Sequence, residues 1–203
     1  MCIRDSLWGM LRDERPGRVL ELGSGITTRL AAEALERNRA EGHPADLVAV
    51  DPYPGEVTLA GFPGLTRLFT LPAQAVPLEQ FESLAAGDVL LVDSSHMLKA
   101  GSDVAYIFEE VLPTLRAGVL VHLHDIYLPR PYPPIVVQEH HWYWNEQDAL
   151  LLYLSDNPAW EVVWSANALY HDHFDEFAAA IPGMERGWAG PCSFWMRRVA
   201  PPA

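Results

Sequence analysis

Five short runs of the sequence are dominated by apolar residues and show no regular alternation with polar ones. They occupy residues 18–22, 47–50, 65–71, 89–92 and 119–123, and stretches of helical character separate them. A strand with one face in water alternates apolar and polar residues, whereas a strand buried on both faces does not. Helices between successive strands provide the crossovers that parallel strands require. The pattern therefore predicts a doubly wound α/β domain with helices on both faces of a mostly parallel sheet.

The sequence changes character after the fifth run. Residues 128–134 contain four prolines and predict an extended loop. Residues 146–155 predict a helix with Asn145 as its N-cap and Asp148 at the capping-box position. Two late runs, residues 160–165 and 193–198, predict strands at an antiparallel edge. The complete sheet is thus expected to have seven strands.

Length and charge limit the number of domains and the class of partner. A chain of 203 residues fits one domain. We assign this domain to residues 18–203, and we expect residues 1–17 to be an N-terminal remnant, because residues 1–6 show no periodic pattern. The formal net charge of -13 opposes contact with phosphate backbones. We therefore expect a small-molecule substrate and no nucleic-acid partner, with a homo-oligomer left open.

The sequence contains no membrane or export signal that we can identify. No apolar run approaches the ~20 residues that span a bilayer, and no signal-peptide pattern opens the chain. Cys2 and Cys192 lie at opposite ends of the chain and show no ligand or disulfide spacing. Unpaired cysteines favour a reducing compartment. We therefore expect a cytoplasmic location.

The first predicted strand ends in a glycine-containing turn before a predicted helix. The turn reads Glu21-Leu22-Gly23-Ser24-Gly25. Glycines allow the backbone to approach a ligand closely, and a helix N-terminus has free N–H groups. Asp51 ends the second strand, where a carboxylate can accept hydrogen bonds from both ribose hydroxyls. A tight strand-to-helix turn would by itself explain the glycines, but together with Asp51 they predict a nucleoside-containing cofactor.

Two cofactor classes share the glycine turn and the ribose acid. The NAD fingerprint has a third glycine or small residue, and Thr28 stands at that place here. Glu21 suits the ammonium group of a methionine moiety and sits poorly beside a pyrophosphate. The residues therefore favour S-adenosylmethionine (SAM) over NAD.

Four segments resemble the class I SAM-dependent methyltransferase family. They read VLELGSGITTRLAA at 19–32, LVAVDP at 47–52, DVLLVDSSHMLKAGSD at 88–103 and GVLVHLHDIYL at 118–128. More narrowly, they are similar to a branch with D-x-x-H after strand four, here Asp93 to His96, and H-D after strand five, here His124-Asp125. WNEQ at 144–147 and SFWMRR at 193–198 also fit that branch. The resemblance spans about residues 18–198.

The resemblance implies a Rossmann-like fold and assigns roles to particular residues. SAM would be held by five of them: Glu21, Gly23, Ser24, Gly25 and Asp51. A metal, with Mg²⁺ as the candidate, would be held by Asp93, His124 and Asp125. Related branches include metal-dependent O-methyltransferases of natural-product sugars and a hydroxylase. Metal-dependent relatives often have Asp-Asp, Glu-Asp or Asp-Asn after strand five, where this chain has His124-Asp125. The family usually has helices before strand one, and we identify none here.

Methyl transfer to a hydroxyl group requires removal of the hydroxyl proton. An imidazole titrates near neutral pH, so His96 is the predicted general base. Asp93 and Asp125 would orient it or hold a metal that acidifies the hydroxyl. The alternative for His96 is a role in capping the loop, and His124 has a comparable structural alternative.

Other conspicuous residues have simpler interpretations. We expect His122 to be buried and hydrogen-bonded. The aromatic block at residues 140–144 predicts either a substrate lid or the packing of an added helix. The triplet His171-Asp172-His173 is interpreted as a solvated loop and not as a metal site.

The sequence thus predicts a SAM-dependent methyltransferase that acts on a small molecule, with an oxygen nucleophile favoured. Two alternatives remain at this stage. One is a hydroxylase or NAD-type oxidoreductase on the same scaffold, and the other is a non-catalytic SAM-binding domain. Turnover to S-adenosylhomocysteine (SAH) distinguishes an enzyme from a binding domain.

Overall fold

The computed structural model describes residues 2–181, 184–187 and 190–200. Within them, seven strands form one sheet. The strands are Arg18–Leu22 (β1), Asp46–Val50 (β2), Arg67–Phe69 (β3), Val89–Val92 (β4), Leu120–Leu123 (β5), Trp160–Ser165 (β6) and Phe194–Arg198 (β7). Each prediction of a strand is confirmed, although β3 is shorter than the predicted run.

The strand order is β3-β2-β1-β4-β5-β7-β6. The strands from β1 to β5 pair in parallel, and β7 pairs antiparallel with both β5 and β6. This is the predicted Rossmann-like, doubly wound sheet with an antiparallel edge. The chain winds outward in one direction from β1 to β3 and in the other from β4, so the order reverses between β1 and β4. A ligand crevice is expected outside the carboxyl ends of the strands at this point.

Helices connect the strands. In the described part of the chain they are Cys2–Glu14 (α1), Ile26–Ala40 (α2), Glu56–Ala60 (α3), Glu79–Glu82 (α4), Asp103–Tyr106 (α5), Leu112–Thr114 (α6), Glu146–Leu154 (α7), Ala166–Asp172 (α8) and Phe174–Ala180 (α9). A π-helical turn, Ile107–Val111, joins α5 to α6. Among the described residues, no helix has both the length and the apolarity to cross a membrane.

The apolar runs become strands because both faces of the sheet are covered. Side chains alternate along a strand, so Val19 enters one hydrophobic cluster and Leu20 the other. Helices α1 and α2 pack on the first face, and the helical segment around Ile107 packs on the second. Burial of each such side chain contributes roughly 1.5–3 kcal/mol relative to exposure. The double coverage explains why the runs lack alternation.

One expectation about the N-terminus is wrong. We expected no helix before the first strand, but α1 occupies Cys2–Glu14. Its Leu7 and Leu11 are fully buried in the cluster that α2 also joins. The i, i+4 spacing of these two leucines produces the apolar stripe that holds α1 against the sheet.

Candidate active site

A cavity of about 570 Å³ opens at the carboxyl ends of β1, β2 and β4. The turns that follow these strands form most of its wall. Three predicted cofactor residues, Gly23, Ser24 and Asp51, line it, and so does Asp93. The remaining lining residues are Leu22, Val50, Pro52, Tyr53, Pro72, Ala73, Gln74, Ser94, Ser95, Lys99, Gly101, Ser102 and Asp103. The cavity therefore lies where the strand order reverses.

Glycine stands at the two positions of the first turn, Gly23 and Gly25, for different physical reasons. Gly23 has φ +89°, and a Cβ there would lie 2.1 Å from the carbonyl oxygen of Asp93. Gly23 therefore allows the β1 turn to pack against the end of β4. Gly25 is the N-cap of α2, and a Cβ there would meet no atom within 4 Å. The space beside Gly25 is thus open.

Asp51 presents a fixed carboxylate to the cavity. Its Oδ2 accepts a hydrogen bond from the Ser24 hydroxyl at 2.5 Å, and its Oδ1 accepts one from the backbone N–H of Tyr53 at 2.8 Å. The β1 turn and the β2 turn therefore hold the carboxylate from both sides. Each carboxylate oxygen can accept more than one hydrogen bond, so both remain able to receive ribose hydroxyls.

Glu21 is buried, with 1% of its surface exposed. The Thr27 hydroxyl donates to its Oε1 at 2.8 Å, whereas its Oε2 has no hydrogen-bond partner among the described residues. Burial raises the pKa of Glu21 to about 7. A buried carboxylate oxygen without a partner is costly, and a cationic ligand group would satisfy it. This observation fits the ammonium group of SAM.

Four side chains that follow β4 and β5 meet at one edge of the cavity; we call Asp93, His96, His124 and Asp125 the Asp–His cluster. His96 and Asp125 each have φ 56°. Residues other than glycine adopt this left-handed conformation rarely, and it costs of order 1–3 kcal/mol. The two turns are therefore shaped so that their side chains converge.

The nitrogens of the two histidines bridge the two carboxylates. Nε2 of His96 lies 3.5 Å from Oδ1 of Asp93 and 3.7 Å from Oδ2 of Asp125. Nδ1 of His124 lies 3.4 Å and 3.3 Å from the same two oxygens. Carboxylates and imidazoles therefore alternate around a closed ring of four, as the strand-end positions predicted.

These contacts shift the charges of the cluster. Burial opposes a charged ring, but the carboxylates of Asp93 and Glu146 outweigh it and raise the pKa of His96 to about 10. Burial also opposes a charged His124 ring, but Asp125 and Asp93 outweigh it and raise the pKa of His124 to about 9. Although burial alone would raise the pKa of Asp93, the two histidines lower it well below its usual range. In the absence of ligands, the cluster is thus a set of ion pairs at neutral pH.

The sequence interpretation missed Glu146 as part of this site. Its Oε2 lies 2.7 Å from Nδ1 of His96, and its side chain is 1% exposed. The backbone N–H groups of Asn145 and Glu146 also donate to the carbonyl of His96, at 3.1 Å and 3.3 Å. The start of α7 therefore holds the loop that carries His96. The W-N-E-Q resemblance was the signal that pointed to this segment.

Asn145 is the N-cap residue of α7, as predicted, but its side chain makes no capping hydrogen bond. Its Oδ1 accepts from the N–H of Leu98, and its Nδ2 donates to the carbonyl of Leu98. This reciprocal pair binds the loop after β4 instead. A tertiary contact has replaced the local one that the sequence suggested.

The potential metal ligands form two overlapping sets. In the part of the chain that the structure describes, the ligand atoms of Asp93, His96 and His124 lie within 4.8 Å of one another, and so do those of His124, Asp125 and Cys192. The predicted trio of Asp93, His124 and Asp125 is distributed over both sets. The Nδ1 of His124 is buried and has no hydrogen-bond partner among the described residues. Lone pairs from carboxylate and imidazole groups that face one another fit a divalent cation.

The other predicted residues lie where simpler interpretations placed them, with one exception. His122 is buried, and its Nε2 lies 3.0 Å from the Ser193 hydroxyl. The aromatic block reaches the site, because the ring of Trp144 lies 4.6 Å from that of His96. The triplet at residues 171–173 is the exception, since its first two residues end α8 and His173 is the C-cap of that helix.

A parallel sheet with a glycine turn after β1 and an acidic residue after β2 defines a class of enzymes that bind nucleoside-containing cofactors. A family model described as a methyltransferase domain matches residues 20–126, which is just over half of the chain. The chain therefore belongs to the methyltransferase domain family. This confirms the resemblance to class I methyltransferases, and the narrower D-x-x-H branch stays a prediction. No curated protein sequence matches the chain.

Solved structures of similar fold include TomG, CalS11 and CmcI. TomG, an O-methyltransferase from Streptomyces achromogenes, is involved in tomaymycin synthesis and was solved in complex with SAM. TomG is 14% identical to this chain, and the match covers 97% of this chain and 79% of TomG with a TM-score of 0.57. CalS11, a TDP-rhamnose 3'-O-methyltransferase in calicheamicin biosynthesis, is 12% identical over 96% and 76%, with a TM-score of 0.53. CmcI with Mg and SAM is 16% identical over 96% and 70%, with a TM-score of 0.50. At these identities the likeness shows the shared fold.

Proposed function

We propose that this protein transfers a methyl group from SAM to a hydroxyl group of a small-molecule acceptor. One observation carries the proposal: Asp93 belongs both to the wall of the cofactor cavity and to the Asp–His cluster. A methyl donor in the cavity would thus lie next to groups that can handle a proton. Membership of the methyltransferase family supports this function, as do SAM in TomG and the O-methyltransferase activity of CalS11.

The donor site would use the five residues that the sequence indicated. Asp51 would accept hydrogen bonds from the ribose, and the unpartnered oxygen of Glu21 would meet the ammonium group. The turn through Gly23, Ser24 and Gly25 would let the cofactor approach the backbone. Bound SAM supplies a methyl group on a positively charged sulfur, which makes the carbon electrophilic.

The acceptor hydroxyl would be bound and deprotonated at the Asp–His cluster. Its oxygen forms a bond to the methyl carbon while the carbon–sulfur bond breaks, and the hydroxyl proton passes to the enzyme. His96 is the proposed base in its deprotonated form, whose population rises with pH toward the pKa of about 10, and Asp93 and Asp125 orient it from one side. Glu146 is a positioning residue, since it holds the opposite ring nitrogen at 2.7 Å. Correct placement is the main requirement of such a displacement.

A divalent cation would fit the same edge of the cavity. The proposed ligands are Asp93, Asp125 and His124, with Mg²⁺ as the candidate that CmcI suggests. A cation there would lower the pKa of a bound hydroxyl group. The buried Nδ1 of His124 lies 3.4 Å from Oδ1 of Asp93 and 3.3 Å from Oδ2 of Asp125, and this convergence of ligand atoms supports the proposal.

We further propose that residues 18–203, with α1 packed against them, form the catalytic domain in a cytoplasmic enzyme without a nucleic-acid partner. The acidic net charge of -13 supports the absence of a nucleic-acid partner. The positions of Cys2 and Cys192 at opposite ends of the chain support a reducing compartment. A homo-oligomer is compatible with these observations.

Calorimetric titration tests the donor site. We expect SAH to bind and NAD not to bind, because the turn has Thr28 in place of a third glycine. Asp51→Ala should weaken SAH binding by ~1–3 kcal/mol, the cost of losing a hydrogen-bonded charged partner. Asp46→Ala, at the other end of β2, is the matched control and should bind normally. Tighter binding of NAD than of SAH would refute the proposed function.

The pH dependence of SAH binding tests the role of Glu21. In the free protein, burial and then the nearby Asp93 and Asp51 keep this carboxyl protonated up to a pKa of about 7. An ammonium group favours the charged form, so binding must release the proton below that pH. We expect affinity to rise about tenfold per pH unit up to about pH 7 and then to level off. Glu21→Gln should bind more weakly at pH 8 and lose this slope, whereas equal slopes would exclude Glu21 from the site.

A further inference from the structure

Cys192 lies in the segment that leads into β7, the neighbour of β5, and brings a thiol to the Asp–His cluster. Its Sγ donates a hydrogen bond to Oδ1 of Asp125 at 3.1 Å. The backbone fixes this contact, because the N–H of Ile126 donates to the carbonyl of Cys192 at 3.0 Å. The antiparallel register that pairs Leu123 with Phe194 thus continues to Asp125 and Cys192. Cys192 therefore approaches Asp125 as a result of strand pairing.

Asp125 lies between Cys192 and His124. Its second oxygen, Oδ2, is 3.3 Å from Nδ1 of His124, the buried nitrogen without a hydrogen-bond partner among the described residues. The ligand atoms of all three residues lie within 4.8 Å of one another. Small side-chain movements would bring them to the distances of about 2.0–2.3 Å at which zinc binds nitrogen, oxygen and sulfur. The three side chains thus present one sulfur, one nitrogen and one oxygen to a common point.

This donor set differs from the one that Mg²⁺ prefers. Mg²⁺ requires six oxygen ligands in octahedral geometry, whereas thiolate and imidazole select borderline transition metals such as Zn²⁺. We propose that His124, Asp125 and Cys192 form a site for a borderline divalent metal of the Zn²⁺ class. Binding replaces the thiol proton, which passes to solvent, with a sulfur–metal bond. The inference deepens the metal site of the proposed function and revises its cation.

Three protein ligands leave one position of a tetrahedral ion open, as catalytic zinc sites do. His124 also belongs to the neighbouring set with Asp93 and His96. The open position would therefore adjoin the residues that face the cofactor cavity. A hydroxyl bound there would lie next to the proposed base. A catalytic role for the metal therefore rests on the proposed function, whereas metal binding itself does not.

Cobalt spectroscopy tests the site without turnover. Metal-free protein would be titrated with Co²⁺, whose bond to a thiolate gives a near-ultraviolet charge-transfer band. We expect this band in the unaltered protein, its loss in Cys192→Ser and its retention in Cys2→Ser, which removes the only other cysteine. Zn²⁺ should displace Co²⁺ at stoichiometric amounts, and Mg²⁺ should not displace it in large excess. Zinc affinity of Cys192→Ser should fall by more than the roughly 10–100-fold that outer partners of a metal site cost.

Two results would overturn the inference: no thiolate band in the unaltered protein, or a band that Cys192→Ser retains. In either case the thiol only hydrogen-bonds to Asp125, a role that the serine hydroxyl can take over. SAH binding is measured by calorimetry on the same samples and tests the proposed function independently of the metal site. A protein that binds SAH but shows no thiolate band would lose the zinc-class site and keep the proposed function.

Discussion

Gly25→Val is expected to weaken SAH binding by roughly 5- to 150-fold while the protein keeps its native circular dichroism. The Cβ position of Gly25 meets no protein atom within 4 Å, so a larger side chain fits the protein itself. It would instead occupy space beside the cavity wall at Ser24, where the donor must approach the turn. Overlap with a ligand costs about as much as overpacking, roughly 1–3 kcal/mol, and each 1.4 kcal/mol is a factor of ten. Calorimetry with SAH measures the loss.

Two variants make this result specific. Gly25→Ala changes the N-cap in a similar way but adds only one methyl group, so it should bind SAH with a small loss. Gly23→Ala should instead disturb the fold, because its Cβ would lie 2.1 Å from the Asp93 carbonyl oxygen at φ +89°. Unchanged affinity in a folded Gly25→Val protein would show that the donor does not bind at this turn.

The strand ends were predictable because burial and topology act together there. Residues such as Val19 and Leu20 must face opposite clusters, and this requirement fixes β1 as a doubly covered strand. Parallel neighbours in the sheet end at one edge. With strands four and five as neighbours, as the family resemblance implied, Asp93 and Asp125 were expected to meet, and the bridging histidine nitrogens lie within 3.7 Å of both.

The partners from the last third of the chain were not predictable in the same way. Glu146 is far from His96 in sequence, and the local pattern at Asn145 also suits an ordinary helix start. The register of the antiparallel edge decides that Cys192 meets Asp125, and a sequence without spacing motifs does not reveal a register. The contacts of these residues depend on tertiary structure, whereas the strands follow from the local sequence pattern.

His96→Asn is expected to lower kcat by roughly 10²–10⁴, the range for loss of a general base. Asparagine tolerates the left-handed backbone that His96 adopts at φ 56°, so the loop should survive. The carboxylates of Asp93 and Glu146 raise the pKa of His96 to about 10, so below that pH the ring holds a proton. The rate should therefore increase with pH beyond neutrality, and this increase should disappear in His96→Asn.

Glu146→Gln separates positioning from proton transfer. The amide keeps a hydrogen bond to His96 but removes the negative charge that favours the protonated ring, so the rise in kcat should move to lower pH. The KM for SAM should stay unchanged, because Glu146 contacts the ring nitrogen opposite the cluster and the proposed donor site lies at the turn through Gly23. A His96→Asn enzyme with full kcat and an unaltered pH profile would remove His96 from the reaction. The Asp–His cluster would then serve only to bind a metal or to hold the two turns together.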